Sequence, residues 1–245
     1  MHKVEIETRD GQCPAYVHHP DGAGPWPAVL MYMDGPGIRP AMQEIAERLA
    51  HQGFYVLLPD LFYRAGPYEP VDVARVWADP ALRAQHRDTF MASATPRNVM
   101  SDTEALLDHL ASQPQVLSGP VGIVGYCMGG RLALIAAGSF TDRIAAAASY
   151  HGGGLANDTP SSPHLLAPRM SAKLYVAGAT NDPNFPDDMK QRLADALSDA
   201  GVEHKIETYP AKHGWVLRDM LVHDPAETEH HWQTLVPFLE SALKS

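Results

Sequence analysis

Cysteine is nearly absent: Cys13 and Cys127 are the two thiols in 245 residues. One bridge between them is allowed by count, but two thiols make no disulfide framework. The 13 histidines come with no His-Glu-x-x-His spacing and no Cys-x-x-Cys, so no metal site and no other cofactor is expected. Long apolar runs are also missing: nothing approaches the ~20 residues of a membrane-crossing helix. Residues 1–7 read as an exposed strand rather than as a basic-plus-apolar leader. Positive charge is scarce, with 19 Lys and Arg against 29 Asp and Glu for a net −10. That balance excludes nucleic-acid backbones and anionic membranes as partners of the surface as a whole. Internal repeats and low-complexity segments are lacking too. These absences together predict a soluble protein in a reducing, cytoplasmic setting, with no nucleic-acid or membrane partner.

What is present is an alternation of buried strands and amphipathic helices in a chain that is 45% hydrophobic. Residues 3–8 and 13–18 predict two short strands around the turn Asp10-Gly11. Buried strands are predicted over 28–33, 54–58, 120–126, 143–150 and 172–178, and an alternating one over 203–209. Helices are predicted over 40–52, 97–113, 127–138, 186–200 and 225–243. Pro59, Pro67, Pro70, Pro80 and Pro96 break up residues 60–96, which read as an excursion or partial lid with short helices near 71–78 and 80–92. Residues 152–171 read as a loop. The pattern predicts one α/β domain over 1–245: a mostly parallel eight-stranded sheet, antiparallel at its first strands, with helices on both faces.

One stretch says more than the rest. Gly125-Tyr126-Cys127-Met128-Gly129-Gly130 lies between an apolar strand and a good helix former, which is the strand–turn–helix elbow that presents a nucleophile. The flanking glycines relieve crowding at a strained turn, and the helix start offers N–H groups to an oxyanion or thiolate. In a parallel sheet, function gathers at the carboxyl ends of the strands. Reading just past those ends gives Asp34-Gly35-Pro36-Gly37, then Cys127, Tyr150-His151, Asp182 and His213-Gly214-Trp215. Nucleophile, acid and base thus follow in the order Cys127, Asp182, His213. A thiol needs a base to become a thiolate, and the imidazole needs an acceptor to fix its tautomer. The N–H groups of Met128 and Gly35 are the expected oxyanion donors.

These residues resemble the dienelactone hydrolase (carboxymethylenebutenolidase-like) family of the α/β-hydrolases, over about residues 10–240. The carriers are the Asp34–Gly37 turn, Leu58-Pro59-Asp60-Leu61-Phe62, the elbow, Gly178 to Asp182 with Pro186, and His213-Gly214-Trp215. The resemblance implies a Cys127–His213–Asp182 triad that cleaves a small carboxylic ester or lactone (EC 3.1.1) through a thioester. It also implies a thiol-activating carboxylate after the third strand, here Asp34 in place of a longer Glu. Family members bind a substrate carboxylate with arginines, for which Arg83, Arg87 and Arg218 are the candidates. Phe62, Tyr126, Tyr150, His151 and Trp215 are expected to line a rather apolar pocket that also suits uncharged esters. A small-molecule substrate and a monomer or small homo-oligomer are expected.

Plainer readings stand beside these. Asp182 suits a turn, Asp34 a turn before Gly35-Pro36-Gly37, His151 a structural role, and Gly129-Gly130 close helix packing. The same triad also serves thioesterase, amidase or acyltransferase chemistry. A reactive Cys127 alone suits a non-catalytic binding protein or redox sensor.

Overall fold

A computed structural model describes residues 1–244. Two strands, β1 (His2–Thr8) and β2 (Gly11–His18), form a hairpin, and β3 (Ala28–Tyr32) and β4 (Tyr55–Pro59) follow around helix α1 (Pro40–His51). Next come α2 (Val73–Ala78), α3 (Pro80–Thr89) and α4 (Pro96–Ser112). Strand and helix then alternate: β5 (Val121–Tyr126), α5 (Met128–Ser139), β6 (Ile144–Tyr150), β7 (Lys173–Ala179), α6 (Asp187–Asp199), β8 (His204–Tyr209) and α7 (Pro225–Leu243). The spatial order in the sheet is β1-β2-β4-β3-β5-β6-β7-β8. β2 runs antiparallel to β1 and to β4, and every later pairing is parallel.

Local chemistry explains the boundaries. Pro40, Pro80, Pro96 and Pro225 each open a helix, where a missing N–H leaves nothing unsatisfied. Thr95 and Asp224 cap α4 and α7 by accepting from the N–H groups of Asn98 and of Ala226 and Glu227. Every residue of β3, β4 and β5 is buried, because helices cover both faces of a parallel sheet. α1 and α7 meet through Arg48 and Glu229 on one side. α4 and α5 pack together, and α5 packs against β5 and β6.

The elements agree with the sequence reading to within one or two residues at most ends. One addition is a 3-10 helix at Pro163–Arg169 inside the expected loop, with shorter 3-10 turns at Tyr63–Ala65 and Met91–Ser93. Among the described residues no helix is long and apolar enough to cross a membrane.

Candidate active site

Five loops at the carboxyl edge of the sheet converge. β5 delivers Cys127, whose backbone is held at φ 53°, ψ −115° as α5 begins. A non-glycine residue there is strained, and the surroundings over-determine it. The Cys127 N–H donates to the carbonyl of Tyr150 at 3.0 Å and to Nδ1 of His151 at 3.1 Å. The glycines have a steric cause: a Cβ on Gly125 would sit 2.0 Å from the Gly129 carbonyl oxygen, and one on Gly129 would sit 2.5 Å from that of Met33.

His213, from the loop after β8, reaches both neighbours. Its Nδ1–H donates to Oδ2 of Asp182 at 2.7 Å, and its Nε2 lies 3.1 Å from Sγ of Cys127. The other oxygen of Asp182 accepts from the N–H and the Nδ2 of Asn184, at 2.9 and 3.0 Å. Burial favours a neutral His213, but the hydrogen bonds and charges of Asp182 and Cys127 outweigh it and raise its pKa to about 10. Burial likewise works against the Asp182 carboxylate, yet the bonds from His213 and Asn184 lower its pKa overall. His151 is fully buried, and that burial, with His213 nearby, holds its pKa well below the ordinary value. It is therefore a neutral acceptor beside His213.

Before Cys127 lies a cavity of about 380 Å³. Trp77, Met91, Met128 and Met220 supply its apolar wall, and Asp34 and Gly35 border it. Arg83, Arg87 and Arg131 bring positive charge. Among the described residues, Arg131 is bonded only to oxygens of Thr159 and Ser161, and its buried Nε has no partner. Burial lowers its pKa, which is the state of a guanidinium in want of an anion.

Cys127, Asp182, His213, Asp34, Gly35, Met128, His151, Arg83 and Arg87 come together as expected at this edge of the sheet. Other expected pocket residues lie elsewhere. Tyr126 is buried behind the elbow with its hydroxyl on His231, and Tyr150 and Trp215 are fully buried in the aromatic core. Phe62 packs with Tyr68, His86 and Phe90 beneath the Asp34–Gly37 turn. Arg218 points away, pairing with Glu44 over a separate groove between α1 and α7. Asp34 does not bond Cys127; both its oxygens are held by Arg39, at 2.6 and 3.0 Å. Arg131 and Asn184 were not anticipated. Arg131 lies four residues past Cys127, one helical turn on and on the same face. Asn184 sits two residues past Asp182, where a turn closes.

A mostly parallel eight-stranded sheet in this strand order, with a strand–turn–helix elbow at Cys127 and a His–Asp pair at its carboxyl edge, defines an α/β-hydrolase fold. The model of the dienelactone hydrolase family matches residues 13–243, and the chain belongs to that family, a group of ester- and lactone-cleaving hydrolases. A Synechocystis sp. protein assigned as a carboxymethylenebutenolidase is 24% identical, the match covering 98% of this chain and 96% of that one. The carboxymethylenebutenolidase of Pseudomonas putida is 30% identical over 68% of this chain and 67% of its own. In shape, the chain is similar to a Klebsiella pneumoniae protein assigned as a dienelactone hydrolase, with a TM-score of 0.84, 20% identity and 97% of each chain covered.

Proposed function

We propose that this protein hydrolyses a small carboxylic ester or lactone by a Cys127–His213–Asp182 triad. The observation that carries the reading is one imidazole set between a thiol sulfur at 3.1 Å and a carboxylate at 2.7 Å, at the mouth of the cavity. Sγ of Cys127 attacks the carbonyl carbon while its proton resides on Nε2 of His213. The N–H groups of Met128 and Gly35 receive the oxyanion. Collapse expels the alkoxide, which takes the proton from His213, and leaves a thioester on Cys127. In a lactone the alkoxide stays tethered to the acyl chain. Water, deprotonated by His213, then attacks the thioester and releases the carboxylic acid and the thiol. Asp182 holds the Nδ1–H tautomer throughout and stabilises the imidazolium.

Arg131 and Arg83, neither paired with a carboxylate among the described residues, favour a substrate with an anionic substituent beside the scissile bond. Asp34 assists the thiol only by leaving Arg39, so the triad, not Asp34, supplies the base. Both cysteines are free, in keeping with a reducing, cytoplasmic setting.

The test is turnover of p-nitrophenyl acetate and of neutral and carboxylated lactones by the wild type and by Cys127→Ala. Loss of all turnover in the variant is expected; retained turnover overturns the assignment.

A further inference from the structure

The oxyanion turn carries two hydrogen bonds that the chemistry above leaves unused. The carbonyl of Asp34 accepts from the Gly37 N–H at 3.1 Å, closing the turn, and Gly37 takes φ +87° to do so. A trans peptide places N–H and C=O on opposite sides, so this bond turns the Gly35 N–H outward from the turn. The next carbonyl, that of Gly35, accepts from Nε2–H of His86 at 2.8 Å. His86 belongs to α3, in the excursion between β4 and α4, and 51 residues separate it from Gly35. It is 5% exposed, and Phe62, Trp77 and Phe90 surround its ring. Met91 and Trp77 of the same excursion crowd Gly35, where an added Cβ would meet the Met91 methyl at 3.1 Å. From the other side Arg39 grips the turn, donating to both oxygens of Asp34 and to the carbonyl of Gly37 at 3.1 Å.

We propose that His86 is a positioning residue: its bond to the Gly35 carbonyl, opposed by the Arg39–Asp34 clamp, sets the oxyanion turn, so that the hole is complete only while α3 is docked. Asp34 is then the anchor of the turn. The inference rests on the acyl-transfer reading, because an oxyanion hole matters only if a tetrahedral intermediate forms. Preorganised donors lower the barrier only where the oxyanion will stand, and a turn free to rotate by tens of degrees loses that aim.

The experiment separates the hole from the triad. His86→Leu deletes the donor but keeps apolar bulk, and His86→Gln restores an N–H at similar reach. Three quantities are measured: kcat and KM for p-nitrophenyl acetate, the rate of Cys127 alkylation by iodoacetamide, and the affinity of acetaldehyde as an inhibitor. Alkylation attacks a saturated carbon and needs no oxyanion hole, whereas the thiohemiacetal formed with the aldehyde does. His86→Leu is expected to lower kcat by about tenfold or more, with KM and alkylation within twofold and aldehyde affinity falling alongside kcat. His86→Gln is expected to recover most of the loss. A His86→Leu enzyme with kcat within twofold of wild type overturns the proposal, as does alkylation that falls in step with kcat. If His86→Leu does not fold, His86→Gln decides: a folded Gln enzyme with kcat and aldehyde affinity near wild type supports the proposal, and loss of both overturns it. Failure of the acyl-transfer reading looks different, since the wild type itself then turns over no ester.

Discussion

His151 accepts a hydrogen bond from the backbone amide of Cys127, with Nδ1 3.1 Å from the amide nitrogen. The imidazole is thereby the Nε2–H tautomer, and burial keeps it neutral next to His213. His151 itself sits at φ 42°, so two strained residues just past the ends of adjacent strands β5 and β6 brace each other. His151→Asn, which keeps an acceptor and tolerates positive φ, is expected to retain most activity. His151→Leu is expected to lose stability by about 1–3 kcal/mol, the usual cost of a missing buried partner. Urea unfolding of the two variants checks the difference.

Removing the base is the second test. His213→Gln is expected to lower kcat for p-nitrophenyl acetate by at least about a thousandfold, the scale of losing a general base that also activates the nucleophile. Asp182→Asn should cost less than His213→Gln but act in the same direction. Stopped-flow acylation measures both, and a His213→Gln enzyme within tenfold of wild type contradicts the assigned role.

Two histidines make stability depend on pH with opposite signs. His213 titrates near 10 in the folded protein, above its ordinary 6.5, so its contribution is complete below 6.5 and disappears as pH rises through 10. His231 is fully buried and its pKa is pushed down to about 3. Its contribution is complete above 6.5 and disappears as pH falls from 6.5 toward 3, each unit being worth about 1.4 kcal/mol. Urea midpoints of the wild type should therefore drop between pH 7 and 5. His231→Phe should shrink that acid limb, to which buried His151 also contributes, and His213→Gln should flatten the limb between pH 8 and 10.

Arginine substitutions should sort by position. Arg131→Gln is expected to raise KM for a carboxylated lactone by about tenfold, the size of one charge-assisted contact, while leaving a neutral lactone within twofold. Arg218→Gln, whose partner is Glu44 on the α1–α7 side, should change neither. Steady-state kinetics on the matched pair of lactones gives the answer; equal effects of Arg131→Gln on both remove the anion preference.

Cys127 and Asp182 were legible because each follows a run of apolar residues long enough to be a strand, and His213 because it follows an alternating one; parallel strands all end at one edge. The aromatic pocket residues were not. β5 and β6 are buried on both faces, so neither alternation nor hydrophobicity tells which side chain meets the cavity and which meets the core. That is why Tyr126 and Tyr150 read as pocket and are core; Trp215 stands in the loop after β8, where no periodicity tells inside from outside. The clamp on Asp34 also left no trace: Arg39 stands five residues away across an irregular turn, and no periodicity marks such a pair. The 3-10 helix at Pro163–Arg169 was hidden by its own prolines, which usually signal loop.

The Arg39 guanidinium joins Asp34 to Asp219, residues separated by most of the chain. A growing polypeptide folds from its amino end as it emerges. When β7 and its loop have appeared, Cys127 and Asp182 exist but His213 and Asp219 do not. Cys127 is then without the imidazole that faces its sulfur, and Arg39 lacks its second carboxylate. On the acyl-transfer reading, Cys127 thus meets its base only after the last strand, β8, has taken the edge of the sheet.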